Sequence, residues 1–249
     1  KDQWSDLHLP LYMMTYDSVE SFSDFISLVK LDGQIAPSVL DFRTIVNFAP
    51  QLKGNTLKAT VSGSMSGYVD DFTVKDIRID SHEGGFKGTV NGRMTGIPET
   101  MNMRVDANVT NLKLTAEGLG RFINQWTHGK ELDFSKIGKG ITFSGNARVS
   151  GLLDQMKAGA RLDSDAGGLE AEARLSNVLN ENAPIGISGS VKTDDLDLGR
   201  LLDKKIAGPA TVGAGFSAVL SDNIQIGIDS LKITRLNLLD YDYSDIQAR

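Results

Sequence analysis

The chain contains no cysteine in its 249 residues. That excludes a disulfide framework, a thiolate metal site and a cysteine nucleophile, and it leaves the cellular compartment open. No run approaches the roughly 18 consecutive apolar residues that a membrane-crossing helix needs. Proline is scarce at 6 residues, which argues against a disordered Pro-rich chain or a collagen repeat. Basic residues are the minority charge: the net charge is -6 and the pI about 5.1, with no basic stripe of the kind a nucleic-acid binder shows. Two Trp and five Tyr are few for the aromatic platforms that accompany paired carboxylates in a glycan-cleaving cleft. The opening Lys1-Asp2-Gln3-Trp4 has no initiator Met and no basic stretch leading into an apolar one, so the chain reads as an excised soluble piece whose anchor or signal would lie elsewhere.

What is present is glycine and alternation. The 26 glycines stand at roughly 10%, above the usual level of about 7%, which suits many strands and turns. Counting glycine and leaving out tyrosine, the apolar share is about 48%, enough for a sizeable apolar face. Period-two patterns recur down the chain. Leu57, Ala59, Val61 and Met65 alternate with Lys58, Thr60, Ser62 and Ser64. Met101, Met103, Val105, Ala107 and Val109 alternate with Asn102, Arg104, Asp106 and Asn108. Ile141, Phe143, Ala147 and Val149 do the same, as do Leu169, Ala171, Ala173 and Leu175, and later Ile224, Ile226 and Ile228. Strands apolar on one side only predict an antiparallel sheet with one wet face, since doubly buried parallel strands would be apolar throughout.

Short helical stretches interrupt the strands. Asp17 with Glu20 three residues on has the form of an N-cap, and Phe22, Phe25, Ile26 and Val29 follow at helical spacing. Residues 42–48, 119–126 and 198–202 predict one or two turns each, with Pro50 and Gly208 as stops for two of them.

The chain also resembles itself. Three units each run from Leu-polar-apolar (Leu40-Asp41-Phe42, Leu112-Lys113-Leu114, Leu196-Asp197-Leu198) through a short helix to a glycine-bearing strand entry (Leu52-Lys53-Gly54, Gly138-Lys139-Gly140, Ile206-Ala207-Gly208). Ser62-Gly63 with Gly67 and Ser144-Gly145 with Gly151 mark matching breaks in the first two units. Each unit then closes on apolar-Asp-Ser: Ile79-Asp80-Ser81, Leu162-Asp163-Ser164 and Ile228-Asp229-Ser230. Two of these continue to glycine pairs, Gly84-Gly85 and Gly167-Gly168, predicting hairpin turns; the third runs into Leu231-Lys232-Ile233, so its turn is missing or tighter. The predicted architecture is mostly β, one continuous long curved antiparallel sheet over residues 1–249 with a few short helices and approximate units 31–100, 101–183 and 184–249. Unequal unit lengths disfavour a rigid solenoid.

Strand, Leu-Asp-Leu, short helix, Gly-bounded strand and Leu-Asp-Ser with Gly-Gly resembles the TamB-type branch of AsmA-like proteins, in its Bacteroidetes-like version. Residues 105–177 and 187–204, the latter with Thr193-Asp194-Asp195-Leu196-Asp197-Leu198-Gly199-Arg200-Leu201-Leu202, carry the likeness most clearly. The resemblance implies a taco-like β-sheet with an apolar groove, part of a bridge anchored in the inner membrane and crossing the periplasm. It also implies phospholipid transport to the outer membrane or outer-membrane protein assembly, with phospholipid acyl chains or client proteins as partners and an outer-membrane barrel at the far end. No nucleic acid, cofactor or catalysis belongs to this reading.

The residues expected to line such a groove are Leu57, Val61, Met65, Phe72, Val74, Met101, Met103, Val105, Phe143, Val149, Leu162, Leu175, Phe216, Ile226 and Ile228. The same alternation would build an ordinary closed core, and a structural or adhesive envelope scaffold is the rival reading. Signals for chemistry are thin. His8, His82 and His128 lie far apart among polar residues. Gly63-Ser64-Met65-Ser66-Gly67 sits in an alternating strand with no helix after it, unlike a nucleophile elbow. Gly213-Ala214-Gly215 lacks the helix of a dinucleotide fingerprint. Asp163-x-Asp165-x-Gly167 and Asp194-Asp195-x-Asp197 fall short of a calcium loop's ligand count and read as turn and strand-edge carboxylates.

Overall fold

A strand that is apolar on one side cannot hide that side alone; pairing in register joins the apolar sides into one face. The computed structural model describes residues 2–45, 56–81, 85–99, 101–124, 137–180, 183–221, 224–239 and 241–248. In it the strands form one fourteen-stranded antiparallel sheet that does not close into a barrel. β1 (Leu11–Thr15) is followed by a 3₁₀ turn (Val19–Asp24) and α1 (Phe25–Leu28). β2 (Lys30–Asp41) leads into α2 (Phe42–Ile45), and β3 (Lys58–Tyr68), β4 (Asp71–Ser81), β5 (Phe86–Thr95) and β6 (Arg104–Thr115) lead to α3 (Ala116–Asn124). Next come β7 (Thr142–Leu152), β8 (Gln155–Ser164), β9 (Gly167–Ser176), β10 (Ile185–Asp194) and the two-residue β11 (Leu196–Asp197) before α4 (Leu198–Leu202). β12 (Ala207–Leu220), β13 (Ile224–Leu238) and β14 (Tyr241–Ala248) complete the order. Each strand pairs with its successor, except that β11 lies off the path and pairs with β12.

The sequence repeat becomes a spatial one. α2 and α3 follow β2 and β6, and α4 follows β10 by way of the two-residue β11, one such helix for every four strands of the meander. Since successive strands reverse direction, all three helices stand on one rim of the sheet, about 19 Å apart at four strand spacings. The hairpins from β4 to β5 and from β8 to β9 turn on that same rim between them. Gly85 and Gly167 there have φ of +59° and +115°, the conformation the glycine pairs were expected to supply. In the third unit Asp229-Ser230 lies inside β13, where the strand continues past a register shift opposite Gly215 and Phe216.

Some boundaries differ from the sequence reading. The first helical segment is capped by Ser18, one residue after Asp17, and it splits into a 3₁₀ turn and a short α-helix because Asp24 caps a new turn by accepting from the Ser27 N–H. α3 begins at Ala116, three residues before Leu119. α4 has the expected bounds but stops at Asp203, whose φ of +52° turns its N–H back to the Gly199 carbonyl; Gly208 lies in β12. Pro50, Leu52-Lys53-Gly54, His82, Gly84, His128 and the far ends of segments 42–48 and 119–126 fall outside the described residues.

β-bulges keep the apolar face continuous where the sequence changes phase. In β6 the apolar positions are odd at Val105, Ala107 and Val109, then even at Leu112 and Leu114; Asn111, at φ +51°, is the extra residue between them. In β4 they pass from Phe72 and Val74 to Ile77 and Ile79, with Asp76 at φ +52° held through its N–H by the Asn91 side chain at 2.9 Å. Asn and Asp tolerate this left-handed conformation, and one inserted residue returns the following side chains to the same face.

Candidate functional site: an apolar trough between two rims

The registers carry one apolar row across twelve strands. It runs Tyr12, Gly33, Met65, Val74, Gly92, Ala107, Val149, Ala158, Ala173, Gly189, Phe216 and Ile228, each aligned with the next. Eleven strand spacings make this row roughly 53 Å long. Half its members are glycine or alanine, so the middle of the face forms a low floor. Two of its three glycines are obligatory: a Cβ on Gly189 would run into the Glu172 carbonyl, and one on Gly92 would stand 2.8 Å from the Asp106 carbonyl oxygen. On the polar face a Cβ at Gly159 would meet nothing nearer than the Ala171 carbonyl at 3.8 Å. The backbone is therefore crowded on the apolar side, as it is where a sheet folds toward that side.

The two rims are built differently. On the helix rim, Leu112, Leu114, Ile141, Phe143, Leu162, Ala166 and Leu196 form a sealed cluster, with Phe86, Leu169, Leu198 and Leu201 packed against it. Backbone bonds hold the cover in place: the Gly138 N–H donates to the Leu201 carbonyl at 2.6 Å and the Asp197 N–H to the Ala166 carbonyl at 2.7 Å. Arg200 adds an ion pair to Asp165 at 2.8 Å.

The opposite rim is laced turn to turn. The Val69 N–H donates to the Ile26 carbonyl at 3.1 Å, Gly96 N–H to Asp70 carbonyl at 2.8 Å, and Leu153 N–H to Met103 carbonyl at 2.9 Å. The Leu179 N–H then reaches the Asp154 carboxylate at 3.0 Å, and the Ser27 hydroxyl donates to the Asp70 carboxylate at 2.7 Å.

The expected lining residues fall into three groups. Val61, Met103, Phe143 and Leu162 are buried; Phe143 is 4% exposed and belongs to the sealed cluster. Leu57, Met65, Phe72, Val74, Val105, Val149, Leu175 and Phe216 are half-buried. Ile226 and Ile228 are open to solvent at 75% and 69%. Met101 needs correction: it sits in a turn ahead of β6, 59% exposed, because the Asn102 N–H bonds back to the Glu99 carbonyl at 2.7 Å and the strand starts only at Arg104. The exposed area is that of an extended sheet. A compact monomer of 26.9 kDa exposes about 10,800 Å². This chain exposes 15182 Å².

Among the described residues the ion pairs stand on the other face and at the ends. Arg148 pairs with Asp106 at 3.3 Å, Arg161 with Glu170 at 3.1 Å, and Lys87 with Asp80 at 2.8 Å. The Arg93 guanidinium holds the Asp71 carboxyl below its usual range, and the Ser66 hydroxyl, with Lys30 behind it, does the same for Asp32. At the β2 end Asp41 is fully buried; Arg43 binds it through Nε at 2.8 Å and Nη2 at 2.5 Å, lowering its pKa, and lies 3.6 Å over the Trp4 ring. The Asp-rich turns are engaged inside the fold: Asp165 by Arg200, Asp195 by Arg235 at 3.2 Å, and Asp197 as the cap of α4, accepting from the Arg200 N–H at 3.0 Å. His8 is exposed beside Asp6 at 3.6 Å. The Gly63–Gly67 and Gly213–Gly215 stretches lie within β3 and β12.

The lacing of the far rim escaped the sequence reading, although Gly67-Tyr68-Val69-Asp70 and Gly151-Leu152-Leu153-Asp154 have the same spacing and were visible as a repeat. Comparison with protein-family models, curated proteins and solved structures finds no match for this chain.

Proposed function

We propose that this chain is a section of a cell-envelope bridge of the TamB-like, AsmA-like kind, presenting its trough to phospholipid acyl chains or to segments of outer-membrane proteins in the periplasm. The observation that carries the reading is the unbroken apolar row of about 53 Å with a low floor, an open end at Ile226 and Ile228, and a surface far above that of a sealed globule. An apolar surface that extensive ordinarily marks an interaction site. Acyl chains need only non-directional affinity to lie along it, with headgroups left in water at the laced rim. No step in this function needs a reacting side chain, so the chain acts as a rail and not as an enzyme. An inner-membrane anchor and a barrel partner belong to the same proposal and would lie in other parts of the protein.

The sealed cluster beside α4 supports a narrower form of the scaffold alternative, in which the helix rim is a fixed wall and only the floor and far half serve as the rail. A photo-crosslinker at Val149 or Ile228 is expected to capture phospholipid, one at Arg148 on the polar face is not, and one at Phe143 is not either, since that side chain is sealed. Purification with no bound lipid by mass spectrometry, together with equal capture at Val149 and Arg148, would reject the rail.

A further inference from the structure

A hollow lies along the charged side chains of the sheet's middle strands. A depression of about 1020 Å³ spans β6 to β13; Arg148, Lys157, Arg161 and Arg174 line it together with Ala158, Ala173, Gly189 and Phe216 of the apolar row, and a second of about 590 Å³ adjoins it at Ser190 and carries Lys192 and Lys232. Two features there run against the net charge of the whole chain, which is -6. First, Lys157 of β8 stands directly opposite Arg174 of β9. Like charges opposed across a sheet repel, and among the described residues neither cation has a carboxylate in ion-pair range. A second such pair, Lys87 opposite Lys113, differs because Asp80 binds Lys87 at 2.8 Å.

Second, Lys192 and Lys232 flank Gly213 in one register row. They are two strand spacings apart, about 9.6 Å, and the space over Gly213 is open, with only the Lys192 Cγ at 3.8 Å from a notional Cβ. Neither ammonium group has an ion-pair partner among the described residues; Lys192 stands opposite Glu170, whose carboxylate Arg161 binds at 3.1 Å. The carboxylates in the hollow offset this only in part. Glu170 is taken by Arg161, Asp229 accepts from the Ser217 hydroxyl at 3.1 Å, and Glu172 alone is left uncommitted.

We infer that this polar-face groove is an anion-binding site for a ligand bearing several phosphate groups, with Lys157 and Arg174 as one subsite and Lys192 and Lys232 as the other. On a flat sheet the two subsites lie roughly 18 Å apart, a span that an extended multivalent ligand bridges and a single phosphate does not. Lys157 and Arg174 are chain neighbours of Ala158 and Ala173 in the apolar row, so by the alternation of a strand these cations project from the opposite face. The phosphates belong either to a soluble chain or to headgroups of a surface, and the experiment has an arm for each.

The test is binding of the full chain, by fluorescence anisotropy to labelled linear polyphosphate and by sedimentation with phosphatidylcholine vesicles with and without phosphatidylglycerol. The site predicts binding to one of these probes at low salt, weakening about tenfold or more as ionic strength rises toward physiological values. Lys192→Gln with Lys232→Gln should weaken that binding about tenfold. Lys157→Glu should abolish it while holding or raising the melting temperature, because the new carboxylate faces Arg174. Cations with a merely structural role would give the thermal shift with no loss of binding. Failure of both probes with the unaltered chain, or a folded Lys157→Glu variant that binds as before, overturns the inference. Either outcome leaves crosslinking of lipid at Val149 untouched.

Discussion

Asp70 and Asp154 occupy equivalent posts on the rim opposite the helices: each sits in a two-residue hairpin turn and takes backbone or hydroxyl hydrogens from the neighbouring connection. Asp70 accepts from the Gly96 N–H at 2.8 Å and the Ser27 hydroxyl at 2.7 Å, Asp154 from the Leu179 N–H at 3.0 Å. Hairpins in a long meander touch only their sequence neighbours through strand pairing, so these cross-links are what join one hairpin's end to the next. Replacing Asp154 by Ala removes one such bond and should cost about 1 kcal/mol in urea unfolding. Hydrogen exchange should speed up at Leu179 while the centre of β9 stays protected. Unchanged exchange at Leu179 would mean that the lacing is incidental.

Glycines on the two faces should respond oppositely. Gly189→Ala puts a methyl group into the Glu172 carbonyl and should destabilise by about 2 kcal/mol or more, because backbone must move. Gly159→Ala finds open space and should fall within about 0.5 kcal/mol of the unaltered chain. Similar losses at both sites, read by thermal or chemical unfolding, would contradict a sheet folded toward its apolar side.

The apolar face should show the same division by depth. Phe143→Ala empties a site in the sealed cluster and is expected to cost about 3–5 kcal/mol. Ile228→Ala removes a side chain 69% exposed and should change stability by less than about 0.5 kcal/mol. If Ile228→Ala proved as damaging as Phe143→Ala, the open end of the trough would have to be covered in solution.

Asp41 ties the first strands to the chain's opening segment. Its pKa is lowered chiefly by the hydrogen bonds from Arg43, so the folded form holds the ionised carboxylate more firmly than the unfolded chain does. The resulting stability is fully present above the unfolded value of about 3.9 and is lost as pH falls through the lower folded value. Asp41→Asn should therefore lose about 2 kcal/mol near neutral pH and converge with the unaltered chain in strong acid. A difference between the two that persists undiminished at pH 2 would show that the carboxylate's charge is not what matters.

Much of this was legible in the residues. Strand placement and the wet and greasy faces follow from period-two alternation, which is local and needs no knowledge of neighbours. The bulges were legible in principle too: Asp76 and Asn111 stand where the alternation changes phase, and these are the residue types that accept a positive φ. Met101 misled because a Met alternating with Met103 continues the pattern on paper, whereas Asn102 closes a turn there.

The chain's own order of residues thus determined that one face would be apolar along its length and that a helix would interrupt the strands at intervals. Only the tertiary structure decided that the helices share a rim, that Phe143 is sealed while Ile228 is bare, and that Lys157 meets Arg174 over a hollow. Those outcomes depend on which distant strands become neighbours and on how the sheet bends over them, and burial and charge repulsion are properties of such neighbours, which alternation along one strand does not encode.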